Sequence, residues 1–273
     1  MSGLIFAVGW LMGYIGMRLA CAIFIRMKWV ASNYAGHAIP LGYGLILSFG
    51  LLGFATLSVW RMQGFLLSWV VCAAVVVSLA GWLDDRYGQT RAKGLRGHFN
   101  VLWREGKVTT GIVKLGIIGI CAVAVAASAS ATAVSFMVDA LLLGLSANFV
   151  NLLDVRPGRA LKGFWFILII CAIFGTLSPA LVPLFWYMLG CTLAAAPFDC
   201  SAQAMLGDTG ANLLGFVGGI FCVYSFDASV KWLLIGTLFL IQLYAERVSL
   251  TAVIERSPVL SRIDQWGRPP EAR

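Results

Sequence analysis

GWLDDRYGQTRAKGLRGH, residues 81–98, ends an apolar run on two adjacent carboxylates, Asp84 and Asp85, with Arg86, Arg91, Lys93, Arg96 and His98 close behind. At a helix C-terminus each carboxylate raises the cost of ionising the other, and both face the negative end of the helix dipole. Solvated helix-end anchors beside Arg86 account for one such acid. Two in succession point to a shared cation. Hard oxygen ligands at this spacing suit Mg²⁺, with Mn²⁺ as its substitute, because Mg²⁺ keeps several waters and bridges carboxylates to substrate phosphates.

The solvent around that junction is set by composition. Of 273 residues, 60% are hydrophobic and 12% charged, and the mean hydropathy is +0.88, whereas a soluble domain carries roughly 25% charged residues. A helix needs about 20 apolar residues to cross about 30 Å of hydrocarbon. Such runs lie at 3–25, 39–60, 64–83, 109–128, 133–153, 163–179, 180–197, 209–225 and 230–245, the short pair meeting around Ser178 and Pro179. The sequence therefore predicts an all-α integral membrane protein, a bundle of about nine transmembrane helices forming a single domain over 1–273.

Basic residues in short loops stay cytoplasmic, and this rule orients the bundle with its N-terminus outside and its C-terminus in the cytoplasm. Of the twenty Lys and Arg residues, only Arg61 and Lys231 then fall in outer loops, while Arg18 and Lys114 lie within helices. The net charge of +8 becomes a collar facing anionic lipid, and no nucleic-acid partner is needed to explain it. No basic segment precedes the first apolar run, which reads as a retained helix. The seven cysteines show no C-x-x-C spacing and read as small core residues.

Two further stretches concentrate polar groups at helix ends on the same inner side. NFVNLLDVRPGRALKG (148–163) carries Asn148, Asn151 and Asp154 at three-residue steps, then Arg156 and Arg159 around a Pro-Gly turn. Amides in a membrane helix bond neighbouring helices or face an interior cavity. Two guanidiniums beside an aspartate and two amides suit the phosphates and sugar of a nucleotide. MLGDTGANLLGFVGG (205–219) sets Asp208 among small residues at a helix start, with Asn212 one turn on. Asp208 reads either as an N-cap or as part of an anion and metal site. Lys114, about a turn into its helix, is costly in hydrocarbon unless it meets an anion. KGLRGHFNVLWREGK (93–107) reads as an interfacial segment, in which His98 fits a headgroup contact better than a catalytic base.

Together, NYAGHAIPLGYG (33–44), GWLDD, NFVNLLD and LGDTGANLLG resemble the polyprenyl-phosphate N-acetylhexosamine-1-phosphate transferases, the MraY and WecA superfamily. The motifs occur in that family's order over most of the chain. The resemblance implies transfer of a sugar-1-phosphate from a UDP-activated amino sugar to a polyprenyl (undecaprenyl) phosphate, releasing UMP with the help of Mg²⁺ at the cytoplasmic face of the cell membrane. It also implies that this is the first lipid-linked step of a cell-envelope glycopolymer. By the same resemblance Asp84, Asp85 and Asp208 would be catalytic and metal-binding. Lys114, Asn148, Asn151, Asp154, Arg156, Arg159 and Asn212 make up the expected substrate-binding set.

The chain departs from that pattern where Val155 follows Asp154 in place of glycine and Ala211 stands in place of serine. It also lacks the family's histidine-rich inner loop, having only His37 and His98. These departures bear on the sugar, not on the phosphate chemistry. A catalytically inactive scaffold of the same fold is the alternative. A transporter is disfavoured because the acids crowd one face instead of lining the midplane, and the aspartate cluster of a CDP-alcohol phosphotransferase is missing. The sequence leaves the oligomeric state open, a homodimer included.

Overall fold

The structure is a computed structural model that describes residues 1–33, 35–60, 65–88 and 94–269. Arg61, Arg91, Lys93, Glu271 and Arg273 fall outside these ranges. All nine apolar runs are helical: α1 (Ser2–Arg26), α2 (Gly44–Trp60), α3 (Phe65–Tyr87), α5 (Thr110–Ala129), α6 (Ala133–Leu153), α7 (Arg159–Phe174), α8 (Val182–Cys200), α9 (Gly207–Ser225) and α10 (Ala228–Ala245). Shorter helices α4 (Gly94–Glu105), α11 (Leu250–Arg256) and α12 (Pro258–Gln265) gather at the end of the bundle that holds the three acidic stretches.

Five of the helices, α1, α3, α5, α6 and α10, are long and apolar enough to cross a membrane. Their apolar residues do not stop at the core face: Ile120 on α5 and Leu233 on α10 are about 70% exposed. A face that meets lipid needs no polar stripe. Helix α9 is instead buried on nearly every side, enclosed by α2, α3, α6 and α7.

Two expectations shift. The run beginning at residue 39 starts as a strand: β1 (Val30–Ser32) and β2 (Ala38–Pro40) pair antiparallel, Ala31 opposite Ile39. Their turn is held by Asn33 Oδ1, which accepts the Ala35 and His37 N–H groups at 2.9 Å each. Lys231 lies not in a loop but in the first turn of α10, where it reaches the buried Asp139 of α6 at 2.7 Å. The ion pair removes the cost of leaving either charge alone in an apolar setting.

Between α1 and the hairpin, the Lys28 N–H donates to Ile25 O and the Trp29 N–H to Phe24 O at 3.1 and 2.8 Å. This two-bond closure normally carries glycine at the residue that turns left-handed. Here Lys28 takes that conformation, at φ 56, a choice that costs an L-residue roughly 1–2 kcal/mol.

The start of α9 is pressed against α3. A Cβ on Gly81 would sit 2.3 Å from the Asp208 carbonyl oxygen, so only glycine lets the two backbones meet there. That approach brings Asp84 and Asp85 beside Asp208, 123 residues away in the chain.

Candidate functional site

Successive residues on a helix point about 100° apart, so Asp84 and Asp85 face different neighbours. Asp84 turns to α5: its Oδ1 accepts the Thr110 hydroxyl at 2.5 Å and its Oδ2 the Lys114 ammonium at 2.6 Å. Asp85 turns to α9. Its Oδ1 accepts the Asp208 N–H at 2.9 Å, and its Oδ2 accepts the Thr209 N–H at 2.9 Å and the Thr209 hydroxyl at 2.5 Å.

Asp85 therefore caps α9 from another helix, satisfying amides that the helix itself leaves open. Among the described residues no side-chain cation bridges Asp84 to Asp85. The shared cation is Lys114, which pairs Asp84 with Asp208. Asp208 sits in the first turn of α9 and is not its N-cap, a position held by Leu206.

Four carboxylates, Asp85, Asp154, Asp199 and Asp208, line one cavity of about 240 Å³, with Arg156 and Asn33 also in its wall. Asp199, at the end of α8, is 4% exposed and accepts the Gly158 N–H at 2.7 Å. The sequence reading passed it by. Its signal is a lone acid ending the apolar AAAPF run, nine residues before Asp208. The Asp154 carboxyl is pushed well above the usual range, by burial first and then by the negative charges of Asp199, Asp208 and Asp85, opposed by the Gly207 amide. A cavity with that surplus of carboxylate favours a cation or a proton.

The remaining expected residues part company. Asn151 stays between helices, its Oδ1 buried without a partner among the described residues. Asn148 lines a separate apolar groove between α5 and α6, near Gln242 of α10. Asn212 donates to the Asp208 carbonyl of its own helix at 2.6 Å and is buried. Arg159 does not reach the cavity. Its Nε and Nη2 form a two-point contact with Asp264 of α12 at 2.9 and 2.8 Å, and its Nη1 donates to Thr251 at 2.9 Å. The Arg268 Nη2 adds a bond to Asp264 at 2.6 Å, while its Nε donates to the Pro157 carbonyl. Arg159 thus clasps the C-terminal segment to the loop that walls the cavity. His98 meets Thr109, the N-cap of α5, at 2.9 Å.

No family model and no curated protein matches this chain. What the site does chemically must be read from its own residues.

The donor set bears on the expected Mg²⁺. The described residues contain no group of three or more His, Cys, Asp or Glu arranged to hold a metal ion. Mg²⁺ asks for less, because it binds through one or two carboxylates and completes its shell with water and substrate phosphates. Asp208, an oxygen donor on a carboxylate-rich cavity, fits that requirement. Asp85, with both oxygens engaged by α9, fits it less well.

Proposed function

We propose that the chain is a membrane-embedded transferase that moves a sugar-1-phosphate from a UDP-activated amino sugar to a polyprenyl phosphate and releases UMP. In this reading nine helices span the cell membrane, with the N-terminus outside and the cavity and C-terminal segment on the cytoplasmic side. The observation that carries it is the meeting of three acidic stretches, remote in sequence, around one cavity with Lys114 beside it and Arg156 in its wall.

In the reaction an oxygen of the lipid phosphate attacks the β-phosphorus of the UDP-sugar, and the bond from that phosphorus to the bridging oxygen breaks as UMP leaves. A lipid phosphate is already ionised near neutral pH and needs no strong base. Positioning and charge neutralisation then supply most of the acceleration. Arg156 and Lys114 would meet phosphate oxygens, Asp154 would face the nucleotide, and Asp208 would hold Mg²⁺, or Mn²⁺ in its place. Bound there, the ion would neutralise the diphosphate. Asp85 acts through α9, holding Asp208 in position.

A second reading draws on Lys114, which already neutralises Asp84 and Asp208 without a metal: a scaffold of the same fold that has no turnover. The deciding experiment gives purified, folded protein polyprenyl phosphate and Mg²⁺ with a panel of UDP-sugars, and records UMP. Release that requires both metal and lipid supports the transferase. Absence of turnover with every sugar leaves the scaffold.

A further inference from the structure

Beside the acid cavity, and sharing Leu41 and Asp85 with it, lies a smaller pocket of about 50 Å³ walled by Lys28, Trp29, Trp82 and Arg86. A water needs about 10–15 Å³, so this space accepts a group of three or four water volumes, the size of a phosphate. Lys28 and Arg86 are exposed, and neither side chain has a hydrogen-bond or ion-pair partner among the described residues. The carboxylate in the wall is already engaged: both Asp85 oxygens are held by Asp208 and Thr209. Trp29 and Trp82 pack against each other with ring centroids 5.9 Å apart, and each is partly exposed. Indoles of this kind sit at the level of lipid headgroups.

The backbone adds an independent observation. Lys28 occupies the left-handed position of a helix closure that glycine would fill without strain. A cation at the end of α1 does not need that residue, because Arg26 already stands in the last turn. The strained choice places a lysine in the wall of the pocket, together with Arg86 and the two tryptophans.

We propose that Lys28 and Arg86 hold the phosphate of a lipid headgroup, with Trp29 and Trp82 packing against the glycerol or chain next to it. The site adjoins the carboxylate cavity but does not depend on any transfer reaction taking place there.

Native mass spectrometry of the purified full-length chain tests this with three probes: phosphatidic acid, phosphatidylcholine and inorganic phosphate. Phosphatidic acid should bind at least tenfold more tightly than phosphatidylcholine. Lys28→Gly and Arg86→Gln should each remove that preference, while Lys28→Gly leaves thermal stability unchanged or raises it. Lys28→Gln, which keeps the strain and removes the charge, should lose the preference as well. Retention of tight phosphatidic acid binding in Lys28→Gly and Arg86→Gln overturns the proposal. So does inorganic phosphate binding as tightly as the lipid, which would make this a site for soluble anions. Because binding is read without turnover, failure here leaves the transferase reading untouched, and failure of that reading leaves this site standing.

Discussion

Asp85 and Thr209, on different helices and 124 positions apart in the chain, are joined twice through one oxygen: Asp85 Oδ2 accepts both the backbone N–H and the hydroxyl of Thr209. The carboxylate at the end of α3 is thereby the cap of the helix at the centre of the bundle. Asp84 and Asp85 have different work despite being neighbours, and their variants should behave differently.

Asp85→Ala leaves the first amides of α9 unsatisfied in a buried setting. It should lower stability by about 1–3 kcal/mol, the cost of an unpaired buried polar group, and Asp85→Asn by less because one oxygen acceptor survives. Thermal unfolding of the purified protein reads both. Equal stability in Asp85→Ala and wild type would show that the cap has no energetic weight.

Lys114→Gln leaves Asp84 and Asp208 without their shared cation and should be strongly destabilising, by about 3–5 kcal/mol, as when one partner of a buried ion pair is removed. An Asp84→Asn change in the same chain should recover part of that loss, since only one carboxylate is then left without a counter-charge. Additive losses in the double variant would contradict the bridge.

Asp208→Asn and Asp154→Asn should separate on a magnesium titration. The first should lose most turnover, on the order of 10²–10³ for a main electrostatic group, and regain some of it with added metal. The second should weaken UMP binding by about 1–3 kcal/mol and respond to added UDP-sugar instead. Identical responses would mean that one metal site has been divided into two.

How much of this was visible in the sequence depended on distance and on helix geometry. Acids at the ends of apolar runs and a lysine inside one stand out, because only a polar partner makes them affordable there, and Asp84, Lys114, Asp154 and Asp208 are legible in that way. Three-residue spacing misled at Asn148. Six residues on from it, Asp154 has turned about 600° around the helix, roughly 120° away from the same face, so one lines an apolar groove and the other the cavity. Arg159 was given to a nucleotide because its partner Asp264 lies 105 positions on, and no local pattern joins them. Asp85 as a cap was equally hidden, since the amides it serves belong to another helix.

The C-terminal clasp should depend on pH. Burial alone would raise the Asp264 carboxyl, but Arg159, Arg268 and Lys162 outweigh it and hold it below its ordinary value of 3.8. A group depressed on folding stabilises the folded state above its unfolded pKa and loses that contribution as pH falls through the lower folded value. A spin label at Val259, exposed on α12, should stay ordered above about pH 4 and gain mobility below the lowered value. In Asp264→Ala it should be mobile at every pH. An immobile label in that variant would show that something other than Asp264 holds α12.

The same clasp sets a timetable for biogenesis. Arg159 is made 105 residues before Asp264, and at about 5–20 residues per second that interval is on the order of 5–20 s. Throughout it, the guanidinium that ends up 4% exposed must be hydrated or held by another anion, while α8, α9 and α10 are made. The loop that walls the cavity takes its final position only once Asp264 has been made, so a ribosome that stops before it leaves a bundle with its helices in place and its acid cavity unfinished.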